Sequence, residues 1–468
     1  MNIKRIVLLS SILLLSSYIY VANKNYCRDC NVVLISIDTL RADHLSTYGY
    51  SKKTSPYLDE FSKNSVVYKN FYSTSSWTLP AHASMFASDT PSNLKTASLF
   101  DKLPESALTI SEVLGKNGYY TYGFDSNTYV SPSWNFSQGF NGYTVERSNP
   151  NVVDANLIFP HAEKWLQQNK DKKFFLFLHA FEVHDPYCPP EPYASKFKGN
   201  YTGKVNCVNL SMILENISKK KVLSTEELNR FVSLYDGEIS YTDYYLGMFL
   251  KKLKDLDIDK KTIVIITSDH GEEFGDHGTW GEHIHTLYNE LIHIPLIIKS
   301  PTLQPGVKLN PVSMVDVAPT ILDLVGIKKP VEFKGESVLQ DLHNKKIFFE
   351  LSDTQMQLRN RLAVLYKAEV GVTPRERKDE SLDKIKVGVL LNDWKLIRSF
   401  NPQMIELYNI KQDPYEKNNL AFDERTRTKA LEILIMRQYK LENHTDLDKI
   451  QKNLPKQEEL DKLKGIGY

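Results

Sequence analysis

Two apolar segments that lie far apart in the chain each end in residues able to bind a cation. Residues 31–37 read NVVLISI and precede Asp38, and residues 262–267 read TIVIIT and lead to Asp269 and His270. Continuous apolar runs of this length are typical of strands buried on both faces of a parallel sheet. Ligands bind just beyond the carboxyl ends of such strands. Asp38, Asp269 and His270 are therefore candidate metal ligands, although either aspartate alone is equally explained as the cap of a loop or helix.

The segments around these two runs predict a layered α/β fold. Amphipathic patterns predict helices at 58–65, 109–117 and 226–253. Apolar runs predict further buried strands at 174–179, which reads FFLFLH, and at 294–298. Helices that alternate with strands in this way indicate a doubly wound sheet covered by helices on both faces.

Beyond residue 343 the pattern changes to short strands separated by turn residues, which predicts a small antiparallel sheet. The predicted strands are 346–351, 387–391, 394–398 and 405–408. A charged, helical segment follows. These changes divide the chain into a hydrophobic N-terminal segment, a main α/β domain, a small antiparallel domain and a helical tail, predicted at 1–24, 31–343, 344–424 and 425–468.

The N-terminal segment predicts export to the periplasm or the extracellular space. Lys4 and Arg5 precede an apolar stretch from Ile6 to about Ala22, as in a signal peptide. The stretch is short for a membrane span, so cleavage and retention as an N-terminal membrane anchor both stay open. The chain has four cysteines, an even number, and an exported protein is permitted disulfides.

The cysteines form two local pairs. Cys27 and Cys30 are interpreted as a tight disulfide or as unused thiols, because no second CxxC accompanies them. A bond between Cys188 and Cys207 would close one loop rich in proline and aromatic residues. The overall charge gives no sign of nucleic-acid binding, since 58 Lys and Arg residues balance 57 Asp and Glu residues and leave a net charge of +1 in 468 residues.

The motifs around these residues resemble the sulfatase family of the alkaline phosphatase-like superfamily. In chain order they are DTLRAD at 38–43, YGY at 48–50, TSDHGE at 267–272, GDHG at 275–278, LYNE at 287–290, VDVAPT at 315–320, ELYN at 406–409 and DPYEKNNL at 413–420. The resemblance implies a large, mostly parallel sheet flanked by helices, plus a small C-terminal antiparallel α+β subdomain. It also implies a metal-dependent enzyme that acts on esters.

One departure from the family changes the chemistry. Sulfatases oxidise the Cys or Ser of a C/S-x-P-x-R element to formylglycine, an aldehyde, whereas residues 78–82 read TLPAH here. Thr78 takes the nucleophile position and His82 takes the position of the arginine. Because the Cβ of threonine carries a methyl group, its oxidation would give a ketone, which excludes formylglycine at this residue. Residues 123–127 read GFDSN where the family has Gly-Lys-x-His, so two usual cationic contacts to sulfate are missing.

Thr78 is predicted to act as the nucleophile directly, as in the phosphodiesterase and phosphotransferase branches of the superfamily. A divalent cation would lower the pKa of its hydroxyl and direct its attack. The resemblance gives Thr78 as a further metal ligand beside Asp38, Asp269 and His270, a donor set that suits one ion of Mn²⁺, Zn²⁺, Mg²⁺ or Ca²⁺. The alternative for Thr78 is a helix N-cap, because Thr-x-Pro is common where a helix begins.

Four histidines are candidates for the substrate side. The resemblance assigns His184 and His283 to catalysis, as donors to a bound phosphoryl oxygen or to the leaving group, since imidazole titrates near neutral pH. His285 competes with His283 for its position and is a candidate for substrate binding, as is His82. His184, His283 and His285 have the alternative of hydrogen bonding within a polar loop.

The sequence thus predicts an exported hydrolase or transferase that acts on phosphate, or less readily sulfate, esters through Thr78. The predicted substrate is a small molecule, a glycan or a lipid headgroup, and no nucleic acid is expected. One alternative is an arylsulfatase-like sulfuric ester hydrolase. An alternative of another class is a catalytically silent protein that binds an anionic glycan or a lipid headgroup.

Overall fold

The computed structural model describes residues 26–97, 101–146, 155–208, 224–278, 283, 286–340, 344–351, 386–400 and 403–439. The predicted signal peptide or anchor at 1–24, His285, and the tail beyond residue 439 lie outside the described residues. Among the helices of the described ranges, none combines the length and the apolar character that a membrane span requires.

Within the described residues the larger sheet has nine strands, and all but one of them run in the same direction. They are β1 (Asn31–Ile37), β2 (Val66–Tyr72), β3 (Tyr120–Asp125), β4 (Gly142–Val145), β5 (Phe174–Ala180), β6 (Thr262–Thr267), β7 (His293–Lys299), β8 (Gly306–Lys308) and β9 (Val312–Ser313). The strand order is β4-β3-β5-β1-β6-β7-β2-β8, and β9 also pairs with β2. Only β7 is antiparallel to its neighbours β6 and β2. The predicted fold class is therefore confirmed.

Helices cover both faces of this sheet. In chain order the α-helices are α1 (Pro56–Ser62), α2 (Thr78–Ala87), α3 (Pro91–Leu94), α4 (Ile110–Lys116), α5 (Ala155–Asn169), α6 (Tyr193–Lys196), α7 (Thr225–Asp255), α8 (Asn289–Ile292), α9 (Val317–Leu324) and α10 (Arg425–Gln438). Short 3₁₀ turns occupy Ala42–His44, Ser46–Tyr48, Pro132–Trp134, Asp259–Lys261 and Met314–Asp316. The longest helix, α7, begins with a capping box between Ser224 and Glu227, which satisfies two backbone N–H groups.

The central strand β1 shows why the apolar runs fold as they do. All seven of its residues are buried. Val32 and Leu34 pack into a cluster with α2, α4 and α9, whereas Val33 and Ile35 pack on the opposite face with α1, α5 and α7. Side chains of a strand alternate between the two faces of a sheet, so only a continuous apolar run can fill both clusters.

The second sheet is antiparallel and lies after the main domain in the chain. Its strands, in order, are β10 (Lys346–Leu351), β11 (Lys386–Leu391), β12 (Trp394–Phe400) and β13 (Gln403–Asn409). Helix α10 packs on it through Leu431 and Ile435. The exact domain boundaries given above stay predictions. Both cysteine pairs form disulfides, Cys27–Cys30 and Cys188–Cys207, so the disulfide interpretation of the first pair holds and its thiol alternative does not.

A buried ion pair joins the second sheet to the main domain. Lys395 on β12 lies 2.7 Å from Glu416, and both side chains are fully buried. The Lys395 ammonium donates to the side-chain oxygen of Asn289 at 3.0 Å, and the backbone N–H of Asn289 donates to Glu416 at 2.6 Å. Removal of one partner would leave the other charge buried without compensation.

We expect Lys395→Met to lower the free energy of unfolding by about 3–5 kcal/mol, because Glu416 then stays buried without its cation. Urea denaturation measures this change. The matched control is Lys411→Met, whose side chain is 76% exposed and lies 3.8 Å from Asp393; its effect should stay within about 0.5 kcal/mol. Equal stability of the two variants would contradict the prediction.

Candidate metal centre and active site

The two acidic segments meet at one edge of the large sheet. Strands β1 and β6 are parallel neighbours, with Ser36 opposite Thr267. Asp38 therefore follows β1 at the level where Asp269 and His270 follow β6. All three side chains are completely buried. The parallel register is thus the reason that residues about 230 positions apart form one cluster.

The lone pairs of these three side chains converge on one point. One carboxylate oxygen of each aspartate is buried and accepts no hydrogen bond, namely Asp38 Oδ1 and Asp269 Oδ2. His270 donates from Nδ1 to the carbonyl of Gly271 at 2.9 Å, which leaves Nε2 as an acceptor. This Nε2 lies 3.5 Å from Asp38 Oδ1 and 3.3 Å from Asp269 Oδ2. Three such acceptors packed together suit a divalent cation that binds nitrogen and oxygen.

Thr78 contributes a hydroxyl to the same point. Its Oγ1 lies 3.3 Å from His270 Nε2. Thr78 is the first residue of α2, and the N-cap position belongs to Trp77, with no side-chain hydrogen bond to the helix. The N-cap alternative is therefore not realised. The first turn of a helix presents free N–H groups, which favour a bound anion near Thr78.

The two carboxylates respond differently to their surroundings. Burial opposes the ionisation of Asp38, but a hydrogen bond to His179 and the charges of His184 and His270 outweigh it and hold the pKa of Asp38 below its usual range. Burial and the nearby charge of Asp38 raise the pKa of Asp269. Two adjacent buried carboxylates cannot both ionise cheaply without a compensating cation, which is the condition that a metal would satisfy.

His283 and His184 lie beside this cluster, and their surroundings shift the pKa values of the two rings in opposite directions. The His283 ring is centred 4.3 Å from that of His270 and 5.0 Å from that of His184. Burial lowers the pKa of His283, but the carboxylate of Glu272 outweighs it and raises that pKa to about 9. Burial lowers the pKa of His184. These surroundings favour the protonated ring at His283 and the neutral ring at His184.

Glu272 has a second partner that fixes its orientation. Its Oε1 lies 3.4 Å from His283 Nδ1, and its Oε2 accepts a hydrogen bond from the Tyr187 hydroxyl at 2.8 Å. Tyr187 and Glu272 are both completely buried. The tyrosine precedes the Cys188–Cys207 disulfide, so a covalently closed loop supports the carboxylate that charges His283.

His82 lies beneath the cluster rather than on its open side. It is completely buried, and its Nδ1 donates to the carbonyl of Thr78 at 2.9 Å while its Nε2 lies 3.0 Å from Ser36 Oγ. Burial, followed by the charge of His179, lowers the pKa of His82 to about 3. A neutral ring with both nitrogens engaged does not favour the predicted anion contact, which stays a prediction, as does the role of His285.

Three residues around Asp38 escaped the sequence-based prediction. Asn127 donates to Asp38 Oδ2 at 2.9 Å, and His179 Nε2 lies 3.3 Å from the same oxygen. His179 Nδ1 in turn lies 2.8 Å from Asp125 Oδ1. The apolar run of β5 ends near His179 just as β1 ends before Asp38, but only the strand order, which the sequence does not give, brings the two side chains together.

We expect Asp269→Asn to abolish stabilisation by a divalent cation without destabilising the metal-free protein. Wild type should gain about 2.7 kcal/mol when the ion is at 100 times its Kd, whereas the variant lacks a charged ligand. Unfolding in chelator and in Mn²⁺ or Zn²⁺ measures both effects. Asp243→Asn is the control, since Asp243 is buried but accepts from the N–H groups of Tyr57 and Leu58. A full metal-dependent gain in Asp269→Asn would contradict the assignment.

Comparisons with known proteins agree with this architecture. A family model described as Sulfatase matches residues 30–327, and one described as N-sulphoglucosamine sulphohydrolase, C-terminal, matches residues 275–443. The phosphonate monoester hydrolase of Agrobacterium radiobacter superposes with a TM-score of 0.70 at 19% identity, covering 88% of this chain and 96% of that one. At this identity the superposition shows the fold alone.

Two curated relatives are sulfatases by name. The ulvan-active sulfatase of Formosa agariphila is 27% identical, and arylsulfatase K of Mus musculus is 26% identical; each alignment covers 67% of this chain. The chain spans 65% and 64% of the lengths of these relatives. Since the Sulfatase model covers well over half of the sequence, the chain belongs to the sulfatase family.

Proposed function

We propose that this protein is a metal-dependent hydrolase of phosphate or phosphonate esters that uses Thr78 as its nucleophile. The observation that carries the proposal is the Thr78 hydroxyl, held 3.3 Å from His270 Nε2 beside two unpartnered carboxylate oxygens. An unmodified hydroxyl needs activation to attack at neutral pH. A divalent cation bound by Asp38, Thr78, Asp269 and His270 would supply it by lowering the pKa of that hydroxyl and offsetting charge on the substrate.

The remaining steps use side chains of this chain. Thr78 Oγ1, whose hydroxyl proton has passed to solvent beforehand, forms a bond to phosphorus while the bond from phosphorus to the leaving alcohol oxygen breaks. His283 gives its proton to that oxygen, so the alcohol leaves neutral. Water then attacks phosphorus, the bond to Thr78 breaks, and the water proton returns to His283. N–H groups at the start of α2 stabilise the charge on the phosphoryl oxygens in both steps.

A sulfuric ester hydrolase is the second candidate, and the names of the curated relatives favour it. The residue at position 78 favours phosphate, because threonine cannot become the aldehyde on which the usual sulfatase reaction depends. The third candidate, a silent protein that binds an anionic ligand, is disfavoured by the intact cluster of Asp38, Asp269 and His270. Unpaired buried acceptors destabilise a protein that gains nothing from them.

The proposal is tested by comparing Thr78→Ala with Thr78→Ser on aryl phosphate monoesters, diesters, phosphonates and sulfates, each with several divalent ions. Thr78→Ala should lose at least about 10³-fold in kcat, because the nucleophile is gone. Thr78→Ser keeps the hydroxyl and should stay within about tenfold. Mass spectrometry of quenched wild type should show phosphorylated Thr78. Turnover of sulfates only, or undiminished turnover in Thr78→Ala, would refute the proposal.

A second prediction concerns the alkaline side of the pH profile. His283 donates a proton, and Glu272 raises its pKa, so activity should fall as pH rises through the pKa of His283. Glu272→Gln removes the charge and should move this fall to lower pH. Glu60 lies on the surface, where it pairs with the exposed side chain of Lys63. Glu60→Gln is therefore a control that should leave the pH profile unchanged. An unshifted alkaline limb in Glu272→Gln would remove His283 from the donor role.

We also propose that the protein acts outside the cytoplasm on a small-molecule, glycan or lipid-headgroup ester. The two disulfides support this location, since such bonds persist in oxidising compartments. Whether the N-terminal segment attaches the protein to a membrane is decided by fractionating cells that express the tagged full chain. Recovery of the full-length protein in the cytoplasm would contradict the proposal.

A further inference from the structure

Three adjacent strands bring a histidine between two carboxylates beside the candidate metal centre. Asp125, the last residue of β3, lies opposite His179 on β5. His179 in turn lies opposite Ser36 on β1, two residues before Asp38. Because neighbouring strands are about 4.8 Å apart, the imidazole on the middle strand β5 lies within reach of the carboxylate at the end of β3 and of the one just after β1.

All of the contacts to Asp38 from this side fall on one of its two oxygens. Asn127 Nδ2 donates to Oδ2 at 2.9 Å, and His179 Nε2 lies 3.3 Å from Oδ2. The Asp125 carboxylate holds both of these neighbours, since its Oδ1 lies 2.8 Å from His179 Nδ1 and accepts from the Asn127 backbone N–H at 2.9 Å. The other oxygen, Asp38 Oδ1, has no hydrogen bond and faces His270.

We infer that Asp125, Asn127 and His179 are positioning residues for the metal centre, which hold Asp38 by Oδ2 and thereby direct Oδ1 at the cation. A carboxylate that binds a metal needs such partners. Without them the carboxylate group can rotate, so that either of its oxygens faces the metal. Loss of a supporting contact of this kind commonly lowers the affinity for the metal. The inference rests on the cation of the proposed function but adds residues outside its ligand set.

The competing arrangement is a second cation held by His82, His179 and Asp269, which each offer a ligand atom within 4.8 Å of the others. Both nitrogens of His82 are already engaged, one with the carbonyl of Thr78 and the other with Ser36 Oγ. Binding a second ion would break at least one of these hydrogen bonds in a fully buried site. The contacts of His179 therefore favour support of Asp38.

The test is the affinity for Zn²⁺ or Mn²⁺, measured by calorimetry on the metal-free full chain without substrate. His179→Leu should bind about 10- to 100-fold more weakly. His179→Gln should recover most of the affinity, since its amide N–H can donate to Asp38 Oδ2. The matched control is His44→Leu, which removes a buried imidazole that lies 2.8 Å from Asp236 Oδ1 and should bind the ion as wild type does.

The absorption spectrum of bound Co²⁺ shows whether the ligands themselves change. An unchanged spectrum in His179→Gln supports the positioning role, whereas a spectrum with one nitrogen ligand fewer means that His179 binds the ion directly and overturns it. Wild-type affinity in His179→Leu also overturns it. If His179→Leu fails to fold, Asn127→Leu, which loses the 2.9 Å hydrogen bond to Asp38 Oδ2, should weaken ion binding in the same way. Failure of wild type to bind any divalent ion refutes the proposed function as well.

Discussion

The structure depends on one electrostatic constraint: acceptor atoms from distant parts of the chain face each other in a buried site. Asp38, Asp269 and His270 are each completely buried, and burying carboxylates together is unfavourable unless positive charge compensates them. The sheet tolerates this arrangement because its apolar strands are packed on both faces and hold the strand ends rigidly. The packing on both faces of the sheet thus holds the two mutually repelling carboxylates close together.

The same rigidity fixes the proposed nucleophile. Thr78 begins a helix in which all ten residues are buried, so its hydroxyl has little freedom to leave the cluster. His82, one turn later, bonds back to the Thr78 carbonyl and reaches Ser36 on β1. The helix is therefore attached to the central strand directly beneath the reacting oxygen. An unmodified hydroxyl with a low intrinsic reactivity benefits from such fixed placement.

The sequence predicts the strands that are apolar throughout and misses those that are not. β1 and β6 are recovered residue for residue, because burial on both faces demands continuous apolar side chains. β2 and β3 were missed, since tyrosine, lysine and asparagine interrupt their patterns. For the site, the rule that ligands follow strand ends places Asp38, Asp269 and His270 together. It cannot reveal that Asn127 and His179 contact Asp38, because that depends on which strands become neighbours.

The contacts of Glu416, which follows β13, join the C-terminal domain to the loop that carries His283. Glu416 binds the backbone of Asn289, and its own carbonyl lies 3.1 Å from His277 Nε2. His277 and Asn289 flank the loop between β6 and β7 that carries His283. The small domain therefore acts as a clamp on both ends of that loop. A chain shortened before β13 would keep all four candidate metal ligands and would lose both contacts of Glu416 with the ends of that loop.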